Sequence, residues 1–194
     1  PRTYNDYKKY PGPYPCFIKP KDGSSSINAF KVENEEELVV YAGQVEDYII
    51  QPFISGKEFT IDIFCDFNGN PIFITPRERV QVRAGEVLKT QIHMDEKMVR
   101  EAKIMCKYFK PCGPMTVQLI QNENTGDNYY IEINPRYGGG APLSMKAGAR
   151  SAETLWNYYV DLKKSLLVIV LAMVLCIVDL IKVFAFLMEM LRRL

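Results

Sequence analysis

One turn signal, Asn68-Gly69, restricts the fold more than any other feature of the chain. Asn-Gly between apolar runs is the strongest short-range signal for a β-hairpin, because both residues tolerate the positive φ of tight turns. Before it, Phe59, Ile61 and Ile63 alternate with polar residues, the pattern of a half-buried strand. The sequence therefore predicts an antiparallel sheet.

Further segments extend this prediction to an α+β fold. Residues 115–120 and 129–134 are apolar runs on either side of a polar loop, which predicts a second hairpin. Apolar residues recur at helical spacing over 95–109. A short helix is predicted over 33–44, with Asn34 as its N-cap. The expected fold is α+β, with antiparallel sheets and few helices.

Composition excludes several classes of function. With 24 basic and 23 acidic residues, bulk charge does not indicate nucleic acid. A single histidine, His93, argues against Ser-His-Asp hydrolysis and multi-histidine metal sites. Five cysteines without zinc or redox spacing indicate reduced thiols, and the polar N-terminus does not resemble a secretory signal. A cytoplasmic setting is expected for residues 1–160.

The stretch YYIEINPRYGGG, residues 129–140, carries the first candidate site. Side chains alternate across a strand, so Glu132 and Asn134 share a face. If Ile120 pairs with Tyr130, then Gln118 lies opposite Glu132, and three oxygen-bearing side chains meet.

Hard oxygen ligands of this kind suit a magnesium–nucleotide site. The three glycines that follow would let backbone amides approach a phosphate closely. The alternative is an ordinary hairpin with a solvated polar face and a glycine turn.

Two other stretches could serve a nucleotide. Lys19 ends a strand just before the loop Gly23, Ser24, Ser25, Ser26, as in many polyphosphate sites, although the order of a Walker motif is missing. Alone, this stretch would usually be an ordinary surface loop. An extended break at Gln51–Ile54 offers backbone donors and acceptors to an adenine edge, and Glu58 could accept from ribose hydroxyls. The alternative is a plain connection at a sheet corner.

Together and in this order, these stretches resemble the ATP-grasp superfamily, and within it the carbamoyl-phosphate synthase large-chain type. The segments that carry the resemblance span residues 16–150: FIKPKDGSSS, IIQPFISGKEFTIDIFCDFNGNPI, PRERVQVRAGEV, MTVQLI and YYIEINPRYGGGAPLSMKAGA. The resemblance implies ATP held between two α+β lobes, a small lobe over 1–55 and a large lobe with the metal site over 56–160.

The resemblance also implies a role for individual residues. Lys19 would contact phosphate, and Gly23, Ser24, Ser25 and Ser26 would close over it. The adenine hinge would be Gln51, Phe53 and Ile54, and the ribose carboxylate Glu58. The Mg²⁺ or Mn²⁺ ligands would be Gln118, Glu132 and Asn134. Arg136 and Lys89 would be cations near the reacting phosphate.

The chemistry that the resemblance implies is an ATP-dependent ligation. A carboxylate attacks the γ-phosphate of ATP to give an acyl-phosphate, and an amine then displaces phosphate, so small-molecule carboxylates and amines are the expected substrates. The basic run Arg77, Arg79 and Arg83 is interpreted in two ways, as an anchor for an anionic substrate or as a solvated strand face.

Relative to complete family members, the chain is expected to be truncated in front and altered behind. It would lack the N-terminal substrate domain, so a partner chain is one way to supply it. The alternative function is a non-catalytic nucleotide-binding subunit or remnant that depends on such a partner.

The C-terminal segment has a different composition from the rest. A hydrophobic helix is predicted over 163–192, and residues 166–188 are long and apolar enough to cross a hydrocarbon core of about 30 Å. Asp179 and Lys182 oppose insertion. Membrane association and helix–helix burial therefore both remain open.

Overall fold

The computed structural model describes residues 1–22, 27–83 and 85–162. A single 3-10 turn at Tyr7–Lys9 precedes the first strand of this part of the chain. The elements, in chain order, are β1 Cys16–Pro20, β2 Phe30–Val32, α1 Glu35–Gln44, β3 Tyr48–Pro52, β4 Gly56–Cys65, β5 Pro71–Arg83, β6 Glu86–Ile92, α2 Glu96–Phe109, β7 Gly113–Asn122, β8 Asn128–Asn134, α3 Ala141–Lys146 and α4 Ser151–Leu162.

The strands form two antiparallel sheets, which confirms the predicted α+β class. The first has the order β2-β1-β3, and the second has the order β6-β5-β4-β7-β8. Each sheet has its own apolar cluster. One cluster joins Ile18 and Ile50 to Leu38 of α1, and the other packs the central strands against Met98 and Ala102 of α2.

Both helices predicted upstream of β7 are present, with polar caps at their N-termini. Asn34 Oδ1 accepts a hydrogen bond from the Glu37 amide at 2.9 Å, which confirms the predicted cap of α1. The Asp95 carboxylate accepts from the Met98 amide at 2.8 Å and begins α2. Each cap satisfies one of the amides that a helix start leaves without a partner.

The predicted hairpins at Asn68-Gly69 and between β7 and β8 are confirmed. Gly69 has φ +83°, as its turn requires. The third hairpin, β5–β6, does not follow from the sequence prediction, which treats the PRERVQVRAGEV stretch only as a family motif. β5 runs on to Arg83 and pairs with β6 across a bulged ladder.

The predicted C-terminal helix over 163–192, and with it the membrane prediction for 166–188, falls outside the described residues. Among the helices of residues 1–22, 27–83 and 85–162, none is long and apolar enough to cross a membrane. The thiols of Cys16, Cys65 and Cys106 are buried and free, and Cys112 is exposed and free.

Strand β4 differs from the half-buried strand that its alternation predicted. Thr60 lies on its polar face and is fully buried. On the same face the Asp62 side chain is only 11% exposed. The prediction was wrong because later parts of the chain cover this second face of the sheet.

A buried ion pair lies on that covered face. Arg77 of β5 is 1% exposed. Its Nε donates to Asp62 Oδ2 at 2.8 Å and its Nη2 to Asp62 Oδ1 at 3.3 Å. Ser144 Oγ of α3 donates to the same carboxylate at 2.6 Å. Asp62 therefore links β4, β5 and α3 through charge-assisted hydrogen bonds.

The glycine loop after β8 lies directly on this ion pair. A Cβ added at Gly140 would stand 2.3 Å from Arg77 Nη1, and one at Gly138 would stand 3.1 Å from a side-chain carbon of Thr116. Gly139 approaches Glu86, whose carboxylate would be 3.0 Å from an added Cβ. The loop thus contacts residues of β7, β5 and β6 as it crosses the sheet.

We expect the Asp62–Arg77 pair to contribute strongly to stability. Asp62→Asn removes the charge with little change of shape and leaves a buried guanidinium uncompensated. Breaking a buried pair in this way costs about 3–5 kcal/mol. Urea unfolding at neutral pH measures the loss.

The matched control is Glu153→Gln, in the Arg150–Glu153 pair whose side chains are 69% and 51% exposed. An exposed pair contributes about 0–1 kcal/mol. A loss for Asp62→Asn no larger than that of the control would contradict the importance of the buried pair.

Candidate functional site

The candidate metal ligands lie on neighbouring strands of the five-stranded sheet. In the register of β7 and β8, Gln118 is directly opposite Glu132, and Asn134 is opposite Thr116. Directly opposed residues point to the same face of a sheet. The expected grouping of Gln118, Glu132 and Asn134 on one face is therefore confirmed, while their role as ligands stays a prediction.

The register that the sequence predicted holds only at this end of the hairpin. Ile120 pairs with Tyr129 rather than with Tyr130, so that part of the prediction was wrong. The ladder shifts between Gln118 and Leu119, which leaves Ile131 as the extra residue of a bulge. The bulge lies next to the predicted ligands.

The three side chains differ in burial. Glu132 is exposed, and Gln118 and Asn134 are half-buried. Asn134 Nδ2 is buried without a hydrogen-bond partner in the described part of the chain. A buried polar atom without a partner costs free energy, which a bound group with a complementary atom would offset.

This donor set fits a hard divalent cation. It offers one carboxylate and two amide oxygens, and Mg²⁺ takes few protein ligands together with phosphate oxygens and water. Within residues 1–22, 27–83 and 85–162, no group of three or more histidine, cysteine or acidic residues is placed to hold a metal. A metal at this face would depend on Glu132 for its charged protein ligand.

The backbone that follows Asn134 is fixed to β7. The Arg136 amide donates to the Asn134 carbonyl at 2.8 Å. Thr116 Oγ1 donates to the Arg136 carbonyl at 2.8 Å. The Arg136 side chain is half-buried, and its Nη1 donates to the Tyr137 carbonyl at 3.1 Å. Arg136 is therefore held beside the predicted ligands.

Beneath the loop, the Tyr137 side chain, Asp62, Ser144 and Ser151 line a small cavity of about 10 Å³, roughly the room of one water molecule. Burial raises the pKa of Tyr137 to about 12, so its hydroxyl stays neutral at physiological pH.

Lys89 lies on β6, at the opposite edge of the sheet from β8. Four strand spacings separate these edges, about 19 Å across a sheet. Lys89 is exposed and pairs with Gln81 of β5. The glycine loop reaches Glu86, which lies on the same strand as Lys89.

The basic run Arg77, Arg79 and Arg83 has neither of the two uniform interpretations offered for it. Arg77 is buried and bonded to Asp62, and the glycine loop packs directly on its guanidinium at Gly140. The Arg79 side chain is 7% exposed and is bonded to Glu58, the predicted ribose carboxylate. Arg83 is exposed and fits a solvated strand face.

Asp62, the partner of Arg77, is not among the candidates that the sequence predicts. Neither are Ser144, which bonds the same carboxylate, and Thr60, which lies on the same buried face of β4. One signal was available: an acidic residue between Ile61 and Ile63 in the middle of β4 requires a partner if that face is covered.

Two further candidates, Lys19 and Gln51, lie in the three-stranded sheet. Lys19 is half-buried on β1, opposite Ile49 of β3. Gln51 is on β3 and its Nε2 donates to Thr3 Oγ1 at 2.8 Å. The loop of Gly23, Ser24, Ser25 and Ser26 lies outside the described residues.

The predicted adenine hinge is partly occupied by internal bonds. The Phe53 amide donates to the Pro15 carbonyl at 3.1 Å, so the expectation that the Gln51–Ile54 break leaves its donors free is wrong for Phe53. The Phe53 ring is 39% exposed and lies 4.8 Å below Lys31 Nζ. Ile54 is half-buried.

Comparison with known proteins matches this fold and this sequence to one family. D-alanine–D-alanine ligase B of Clostridium perfringens is 29% identical over 164 residues, which are 77% of this chain and 53% of that protein. The chain thus spans about half the length of this curated relative.

Solved structures agree on the fold. The biotin carboxylase–β-γ-ATP complex of Campylobacter jejuni matches with a TM-score of 0.61 at 23% identity, covering 68% of this chain and 33% of that one. The biotin carboxylase domain of the Hydrogenobacter thermophilus 2-oxoglutarate carboxylase, in complex with MgADP, ADP and bicarbonate, gives 0.57 at 24% identity, covering 67% and 32%. The ATP-grasp domain family model matches residues 1–140, so the chain belongs to the ATP-grasp family.

Proposed function

We propose that this chain is the Mg-ATP-binding core of an ATP-dependent ligase that joins a carboxylate to an amine through an acyl-phosphate. The observation that carries the proposal is the register that sets Gln118 opposite Glu132 and leads through Asn134 into the glycine loop. Family membership supports it, as do the similar proteins, which include a D-alanine–D-alanine ligase and biotin carboxylases in complex with MgADP or β-γ-ATP.

In this proposal the two sheets have different tasks. The small lobe, residues 1–55, would hold adenine along Gln51, Phe53 and Ile54 and phosphate through Lys19. The large lobe, residues 56–160, would hold ribose through Glu58 and the metal through Gln118, Glu132 and Asn134. The three-stranded sheet falls in the first range and the five-stranded sheet in the second.

The chain itself would supply positioning and charge. Arg136 is fixed by Thr116 beside the ligand strand, which suits a cation that stabilises charge on the transferring phosphoryl group. Lys89 would approach from the β6 side. A bound Mg²⁺ would neutralise phosphate charge and orient the γ-phosphate. Phosphoryl transfer of this kind requires no side-chain nucleophile.

The whole enzyme's substrates and partners belong to the same proposal. Small-molecule carboxylate and amine substrates fit the ligases among the relatives. The carbamoyl-phosphate synthase-like subtype stays a prediction from the sequence.

The metal assignment predicts that the chain binds ATP more tightly with Mg²⁺ than without it, and that Glu132→Ala removes this difference. The variant loses a charged contact, which is worth about 10- to 150-fold in affinity. Titration calorimetry with and without Mg²⁺ measures it. The matched control is Glu123→Ala, an exposed acid in the loop of the same hairpin. Equal affinities for wild type and Glu132→Ala with Mg²⁺ would overturn the metal site.

The phosphate assignment predicts that Lys19→Ala weakens ATP binding by about 10- to 150-fold while AMP binding hardly changes, since AMP lacks the β- and γ-phosphates. Lys107→Ala, an exposed lysine in the last turn of α2, controls for net charge. Competition binding with both nucleotides gives the ratio. If Lys19→Ala weakened ATP and AMP alike, the lysine would be structural.

A further inference from the structure

We propose that Arg79 is a positioning residue that holds Glu58 in place for the ribose hydroxyls of a bound adenine nucleotide. The inference rests on the proposed function, because it takes Glu58 as the ribose carboxylate. Its new element is the arginine, which would act on the nucleotide only through that carboxylate.

The two residues are cross-strand neighbours. Phe59 of β4 pairs with Glu78 of β5, so Glu58 and Arg79 are the next opposed pair along the ladder and share a face. Arg79 Nε donates to Glu58 Oε2 at 3.1 Å. This bond leaves Oε1 of the carboxylate to accept from hydroxyl donors.

The burial of the pair is unequal, and this gives the two residues different tasks. The Arg79 side chain is 7% exposed, whereas that of Glu58 is 50% exposed. The guanidinium is the fixed member and the carboxylate is the member that a ligand can reach. A glutamate on a strand surface samples several rotamers, and a bond to a fixed partner lowers the entropy that ligand binding must remove.

A second hydrogen bond fixes the guanidinium itself. Arg79 Nη2 donates to the Gly85 carbonyl at 3.0 Å. Gly85 has φ +78° and lies in the turn of the β5–β6 hairpin. The planar fork of arginine holds its donors to two acceptors in a fixed geometry, which the compact ammonium of a lysine does not reproduce. Arg79 therefore connects Glu58, the predicted ribose carboxylate, to the turn of the β5–β6 hairpin. Lys89 lies in the same hairpin.

The test compares ATP with 2′,3′-dideoxyATP, which lacks both ribose hydroxyls, by titration calorimetry on the 194-residue chain with Mg²⁺. Wild type should prefer ATP by about 10-fold or more if Glu58 bonds the hydroxyls. Arg79→Met should lower that preference at least about threefold, the size of a modest coupling between neighbours. Arg79→Lys should lower it as well, since it keeps the charge but not the fork.

Two further variants separate positioning from structure. In a Glu58→Ala background, Arg79→Met should change the preference no further. Lys57→Met, which breaks the 3.4 Å Lys57–Glu78 pair between the same two strands, should leave the preference intact. Thermal melts by circular dichroism establish that each variant is folded, and Arg79→Lys carries the test if Arg79→Met is not.

The outcomes distinguish this inference from the proposed function. No binding of Mg-ATP by wild type would overturn the proposed function. Binding of ATP and 2′,3′-dideoxyATP with equal affinity would remove Glu58 from the ribose, and this inference with it, but would leave nucleotide binding in place. A preference lost in Glu58→Ala and kept in both Arg79 variants would overturn the role of Arg79 alone.

Discussion

The buried Arg77–Asp62 ion pair determines how the second face of the five-stranded sheet is used. Two charges removed from water are costly unless hydrogen bonds satisfy them, and here the carboxylate receives bonds from Arg77 and from Ser144. Thr90 Oγ1 lies 3.4 Å from Arg77 Nη1 and is a further polar neighbour. An apolar side chain in place of Asp62 could not link β4, β5 and α3 in the same way, because it could not accept these hydrogen bonds. The pair thus fixes the position at which the chain crosses the sheet after β8.

The glycines of that crossing are explained by the ion pair more directly than by a ligand. Gly140 has φ −89° and ψ −3°, a conformation open to other residues, so backbone strain does not require glycine there. The guanidinium does, because it occupies the space where a Cβ would stand. From the sequence, these glycines are predicted to let backbone amides approach a phosphate closely. The structure shows that Gly140 closely approaches the Arg77 guanidinium, a group of the protein itself. The approach to a phosphate belongs to the proposed function.

Local patterns predicted the β4–β5 and β7–β8 hairpins, the helices α1 and α2, and the part of the site that depends on alternation along one hairpin. The shared face of Gln118, Glu132 and Asn134 follows from period-two geometry, and the register holds where they lie. Period-two geometry does not predict the bulge at Ile131 or the burial of Thr60, because both depend on what packs against the strand. For the same reason the sequence does not distinguish the roles of the three arginines of β5. The spacing of charges does not reveal which partner each arginine contacts.

The two arginine–carboxylate pairs of β4 and β5 lie on one face of the sheet and differ in burial. Asp62 is 11% exposed and receives bonds from two residues, so the stabilisation of its charge is complete within the protein. Glu58 is 50% exposed and has a hydrogen bond from Arg79 to one oxygen, so its other oxygen can still accept. Along a strand of similar residues, burial thus separates a carboxylate that stabilises the fold from one that can serve a ligand. In the proposed function, this contrast assigns the ligand-facing end of the ladder to Glu58. The contrast rests on contacts that the sequence alone does not determine.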